Sequence, residues 1–314
     1  MRVKGLVHMA ARRASRVRGG ALVSFDDRTT RRPGMGPVRT TALTAALLAA
    51  ALPAAVPQAW AEGARPGTAA RTVTQQVGHP AVMFSGRLYT VAAYCPQGTK
   101  PTGGGATVED DPVSAVFLKD SYPDVAGNRW VVRAFNASGK VQTLHPLAVC
   151  STDPSISYET GPDKPLQPGE PNNPSDANCG LGRTRFVVGG GIQAGDSTFA
   201  SETSVGNGVW TARAKYTNFD PDAPPSFVRA TAVCSTTEAA FKFSSTVRLA
   251  VGAVATVHVE CPAGLVPVGG GGDASPDVLL NSSAPTATGW TVRATNKGFS
   301  DRDGVFATVA CAAP

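Results

Sequence analysis

Charge is scarce in this chain, and what there is lies unevenly. Asp, Glu, Lys and Arg make up 17% of the residues, and the formal excess of +6 comes from the beginning. Residues 1–61 hold ten Lys or Arg against Asp26 and Asp27, which leaves 19 bases and 21 acids in the rest. Beyond residue 61 no cluster of Lys or Arg could neutralise a run of phosphates, which excludes nucleic acid as a partner. Long apolar runs are missing too. The run 42–52 is followed by Pro53 and Pro57 and is too short for the roughly 20 residues of a spanning helix, so the mature chain is expected to carry no transmembrane anchor.

Catalytic and metal patterns are equally sparse. His79, His145 and His258 share no common context, and there is neither a Gly-x-Ser-x-Gly elbow nor a His-Glu-x-x-His helix. No two Cys have the Cys-x-x-Cys spacing of a zinc site. Three glycine clusters invite comparison with a phosphate loop, but none is followed by a helix opening with Lys, Ser or Thr. The adjacent Asp110 and Asp111 read as solvated turn charge rather than an acid/base pair. The expectation is a protein that is not an enzyme and has no cofactor and no metal.

What the chain has in quantity is turn chemistry. With 34 Gly and 25 Pro between short apolar stretches, it suits many strands rather than long helices. It begins with the pattern of an export signal: Arg39, the apolar run 42–52, and Ala59-Trp60-Ala61 as a small-x-small cleavage site before Glu62. Residues 1–34 read as a segment upstream of a start at Met35. Arg31-Arg32 is the alternative twin-arginine signal, which Pro33-Gly34-Met35 fits badly. The expected location is secreted, extracellular or cell-wall associated.

From residue 84 onward one unit occurs three times. It runs from a Cys through a turn, a Gly triplet, an Asp and a Trp-led strand to a strand that closes on Cys. The first copy has Cys95, 103–105, Asp110, Trp130, Arg133 and Cys150; the second Cys179, 189–191, Asp196, Trp210, Arg213 and Cys234; the third Cys261, 269–272, Asp277, Trp290, Arg293 and Cys311. Successive Trp lie 80 residues apart, and so do successive Arg. Alternation along the third Trp strand turns Trp290, Val292 and Ala294 to the core and Thr291, Arg293 and Thr295 outward or toward a neighbouring sheet. Glycine within these strands predicts bulges and a close approach, with Trp as the large neighbour.

Six Cys allow 15 pairings; repetition selects Cys95–Cys150, Cys179–Cys234 and Cys261–Cys311, each tying a first strand to a last one. Copies one and three share a lead-in (Phe84-Ser85-Gly86 and Phe243-Ser244-Ser245) that copy two lacks. Segment 151–178, with six Pro, reads instead as a linker or loop. The expected layout is a leader at 1–61, repeats at 62–150, 179–236 and 237–314, and the linker at 151–178.

The series Cys-Pro-x-Gly, Gly-Gly-Gly, Gly-Trp-x-Val-x-Ala-x-Asn and closing Cys resembles a repeat of secreted, mostly uncharacterised proteins of high-GC Gram-positive bacteria. Copy two departs from it with Cys179-Gly180. Three β repeats with paired Cys are also distantly similar, at the level of fold, to the β-prism of vitelline membrane outer layer proteins. The expected fold is therefore all-β: three antiparallel Greek-key-like repeats in a β-prism-like body, one sheet per copy, each with an internal disulfide and an inward Trp. Separate small β-sandwiches are the alternative. The function expected is a non-catalytic extracellular or cell-envelope protein that binds glycan through repeated loops, with Asp110, Arg133, Asp196, Arg213, Asp277 and Arg293 as contacts. A structural or protein-binding envelope component and a secreted hydrolase are the alternatives. The recurring Asp has a simpler role open to it, as an Asx turn.

Overall fold

The computed structural model describes residues 71–109, 115–168, 173–180, 184–217, 224–299 and 302–314. All of them belong to one compact unit. The leader lies outside the described residues.

Among the described residues each copy contributes seven strands. The first gives β1 (Val73–Val77), β2 (Ala81–Met83), β3 (Arg87–Tyr94), β4 (Lys100–Glu109), β5 (Val116–Asp124), β6 (Arg129–Asn136) and β7 (Gln142–Ser151). The second gives β8 (Ser157–Thr160), β9 (Lys164–Leu166), β10 (Ser175–Asn178), β11 (Phe186–Ala194), β12 (Thr198–Gly206), β13 (Val209–Tyr216) and β14 (Ser226–Ser235). The third gives β15 (Ala240–Phe243), β16 (Val247–Leu249), β17 (Val254–Glu260), β18 (Val266–Ala274), β19 (Val278–Pro285), β20 (Gly289–Asn296) and β21 (Arg302–Ala312). Segment 151–178 is therefore not a plain linker. Pro162, Pro165, Pro168 and Pro174 sit in or between β8, β9 and β10, and β8 and β9 edge the closing strand β14 as β1 and β2 edge β7. Short edge strands tolerate proline because one side of their backbone needs no ladder partner.

The copies do not each own a sheet. Three seven-stranded antiparallel sheets form, and every one draws on two copies. In one sheet the order is β3-β6-β5 from copy one, then β11-β14 and β8 with β9 from copy two; the next joins β10-β13-β12 to β18-β21 and β15 with β16; the last joins β17-β20-β19 to β4-β7 and β1 with β2. Copy one thus hands strands to copy two, two to three, and three back to one. That closed circuit excludes separate sandwiches and gives a three-sided β-prism.

The disulfides follow the same logic. The expected pairs form, with Cα separations of 5.6, 5.6 and 5.7 Å. Because the first Cys follows a strand of one sheet and the second lies on a strand of the neighbouring sheet, each bridge clamps two sheets together rather than sitting inside one. Trp130, Trp210 and Trp290 are essentially fully buried in one continuous core. Each indole Nε1 donates to a hydroxyl of the adjacent strand: to Ser121 at 2.9 Å, Thr203 at 3.1 Å and Ser283 at 2.9 Å. A buried indole left without that acceptor would lose about 1–3 kcal/mol.

The glycine triplet serves three contacts in register. A bulge precedes its first member in β4, β11 and β18. The first glycines meet one another where the three sheets converge: a Cβ on Gly103 would stand 2.7 Å from the Gly269 Cα, and one on Gly269 would stand 2.7 Å from the Gly189 Cα. The second lies under the indole of its own copy, so that a Cβ on Gly104, Gly190 or Gly270 would come within 2.4 Å of the Trp ring. The third faces the strand received from the preceding copy. A Cβ on Gly191 would fall 2.3 Å from the Ser121 carbonyl oxygen. The expected closeness to the copy's own Trp is met by the middle glycine, while Gly103 and Gly271 face the indole of another copy, where a Cβ would lie 3.4 Å from Trp290 and 3.3 Å from Trp210.

Candidate functional site

Trp points inward, so the other face of each Trp strand is the outer wall of the prism. On copy one the register lines up three rows across β3, β6 and β5: Tyr94, Arg129 and Asp124; Ala92, Val131 and Tyr122; Thr90, Arg133 and Asp120. The recurrent Arg thus stands at the same place on each wall, beside the join with the next copy. Arg133 Nη1 lies 3.1 Å from Asp120 Oδ2, Arg213 Nη1 lies 2.8 Å from Glu202 Oε2, and Arg293 has Ser282 opposite.

Neither Asp196 nor Asp277 gathers with these Arg. Asp110 lies outside the described residues. Asp196 is exposed on the turn between β11 and β12. Asp277 pairs with Lys215 of copy two. The last two are not equivalent either. Thr198 pairs with Tyr216 as Val278 pairs with Asn296, which aligns Asp277 with Ser197 and Asp196 with Pro276. The extra Gly272 of copy three displaces a count made from the last glycine.

The three joins differ in charge. Between copies one and two, the Asp120 carboxylate accepts the Ala194 amide at 2.6 Å and has Lys119 Nζ at 3.4 Å besides Arg133. Burial pushes the Lys119 ammonium down while Asp120 pulls it back up. Between copies two and three, Glu202 faces Asp273 across β12 and β18. Between copies three and one the corresponding residues are neutral, Asn281 and Ser282, and Asn281 donates to the Val116 carbonyl at 2.7 Å.

A groove of about 420 Å³ lies on the outer wall of copy one, lined by His79, Thr90, Tyr94, Tyr122, Arg129 and Val131. Tyr94 is 57% exposed. Arg129 is held by Asp124 at 2.7 Å and donates to the Tyr94 hydroxyl at 2.8 Å, with its guanidinium 5.5 Å from the centre of that ring. Burial, then the neighbouring Asp120, push the Tyr122 phenol up, so it stays a hydroxyl able to donate or accept. Two aromatic rings, an Arg of fixed orientation, an exposed His and a Thr hydroxyl form a platform with polar tips. It is not repeated. By register, Tyr94 corresponds to Asn178 and Glu260, Tyr122 to Ser204 and Ala284, and Arg129 to Val209 and Gly289.

These groove residues escape a search based on repetition because they occur once. The usable signal was alternation in β3, which sets Thr90, Ala92 and Tyr94 on the face opposite Val91 and Ala93. A second cleft, of about 410 Å³, lies beside Cys179 and is lined by Phe186, Val205, Phe241 and Phe243 with Arg185 and Glu238 at its rim. Arg185 is engaged with Glu159 at 2.9 Å. Among the described residues no group of three or more His, Cys, Asp or Glu could hold a metal ion, and no helix is long and apolar enough to cross a membrane.

No protein-family model matches the chain, and no curated protein matches it.

Proposed function

We propose that this is a secreted, non-catalytic protein of the cell exterior or envelope that binds glycan on the outer wall of its first copy. The observation that carries the reading is the groove at Tyr94 and Tyr122. Sugar rings present apolar C–H faces and a rim of hydroxyls. The exposed Tyr94 ring and the half-buried Tyr122 ring, beside the anchored Arg129 guanidinium, the Thr90 hydroxyl and the His79 imidazole, match both features, and a groove of this size is large enough for a small ligand. The site moves from repeated loops to a single wall, because the aromatic positions are not repeated. Three disulfides of loop length 50–55 fit an oxidising compartment outside the cytoplasm. The resemblance to secreted Gram-positive repeat proteins favours the same location.

Screening on a glycan array, followed by titration calorimetry with the best oligosaccharide, tests the reading. Tyr94→Ala and Tyr122→Ala should each weaken binding about tenfold or more, roughly the 1.4 kcal/mol that one aromatic contact supplies. Retention of no glycan, or binding that both substitutions leave unchanged, contradicts it.

A further inference from the structure

At the join between copies two and three, β12 and β18 pair Glu202 with Asp273 and Thr203 with Gly272. Directly opposed residues project from the same face with Cβ atoms about 5 Å apart, where like charges repel. Glu202 is only 5% exposed. The groups that face it come from every strand around it. From β13, Arg213 Nη1 stands 2.8 Å from Oε2 but off the line of a hydrogen bond. Within β12, the Ser204 hydroxyl donates to Oε1 at 2.9 Å. From β10 comes a third acid, Asp176, held by the Thr211 hydroxyl at 2.7 Å. On the far side β21 sets Phe306 opposite Asp273. Lys215, the next cation along β13, is engaged with Asp277. One guanidinium, Arg213, therefore answers both Glu202 and Asp273.

We propose that Glu202, buried and set opposite Asp273, keeps its proton up to neutral pH, so that its ionisation as pH rises weakens the join between copies two and three. Burial first, then the Asp273 charge, push Glu202 up to about 7 against the pull of Arg213 and Ser204. Burial likewise pushes Asp273 up, with Arg213 opposing. Both directions have the same sign for stability. Between the ordinary Glu value of 4.5 and about 7, the folded protein keeps a proton that the unfolded chain releases. Stability from this pair is therefore full below that window, falls as pH rises through it, and stays at its lower level above. The effect belongs to this join: Asp120 is matched by Lys119 and Arg133, and the third join has Ser282 in the acid's place.

The test is urea unfolding of the disulfide-intact protein from pH 5 to 8, beside Glu202→Gln and Asp273→Asn. The folding equilibrium constant of the unmodified protein, divided by that of Glu202→Gln, should fall up to about tenfold per pH unit and about 100-fold over the range. Parallel profiles overturn the proposal. Should both variants fail to fold, ¹³C carboxyl titration of the unmodified protein decides. One Glu carboxyl with a midpoint near 7 supports the retained proton, and Glu midpoints that all lie near 4.5 overturn it.

Discussion

Copies one and two have the same seven-strand backbone, yet their outer walls have little in common. Where copy one sets Tyr94, Arg129 and Tyr122 around a groove, copy two sets Asn178, Val209 and Ser204. Where copy one answers a buried Asp with two cations, copy two places Glu202 against a second acid. Inside, the same two copies agree residue by residue: an indole, the glycine beneath it, and the hydroxyl that receives its N–H. Closure of the prism constrains the inner face, which each copy must present to two neighbours. The outer face is free to differ, and that is where a function particular to one copy can arise.

The most severe test of this contrast sets an inner glycine against an outer one. Gly190→Ala forces a Cβ to 2.4 Å from the Trp210 ring and is expected to destabilise by about 3 kcal/mol or more, whereas Gly206→Ala meets nothing within 4 Å and should stay within about 0.5 kcal/mol. Chemical denaturation of the two variants measures the difference. Trp210→Ala should cost about 3–5 kcal/mol by the same assay. Replacing Cys179 and Cys234 together by Ala should cost about 2–5 kcal/mol, because it frees one sheet from the next. Asp120→Asn leaves Lys119 and Arg133 without their buried partner and should cost about 3 kcal/mol at pH 8, while Glu202→Gln at that pH should be neutral or stabilising. Smallest in stability is Tyr94→Ala, expected within about 0.5 kcal/mol by thermal melt even as it weakens the proposed glycan binding about tenfold or more.

Acid brings an opposite trend. Burial pushes Asp153 up, but hydrogen bonds from Ser155 and Ser235 outweigh it, and Arg229 holds Asp163 below the usual carboxylate range. A lowered folded value contributes stability above the ordinary Asp value of 3.8, which is lost as pH falls through the folded one. Stability should therefore be greatest in mildly acidic solution, between the protonation of these Asp residues and the ionisation of Glu202; calorimetric melts against pH locate that maximum.

Much of the interior was legible from sequence. Three Trp at equal spacing, Cys at matching positions and alternation along the Trp strand foretold the inward indoles, the outward Arg and the disulfide partners. Strand exchange between copies was not legible, because local pattern sets which face a strand buries but not which neighbour it pairs with. The edge strands β8 and β9 of copy two were hidden by prolines, which mark loops and edge strands alike, and the lead-in itself matched Phe84, which follows β2, with Phe243, which ends β15 and corresponds to Val77. The recurrent Asp misled for a different reason. Counting from the end of a glycine run assumes runs of equal length, and Gly272 breaks that assumption.

The circuit of shared sheets is tested most directly by cross-strand NOEs in isotope-labelled protein. Backbone contacts from Ser121 to Ile192, from Thr203 to Gly272, and from Ser283 to Ala106 are predicted, each linking two different copies. Sheets whose NOEs all remain within single copies, with these three absent, would contradict it.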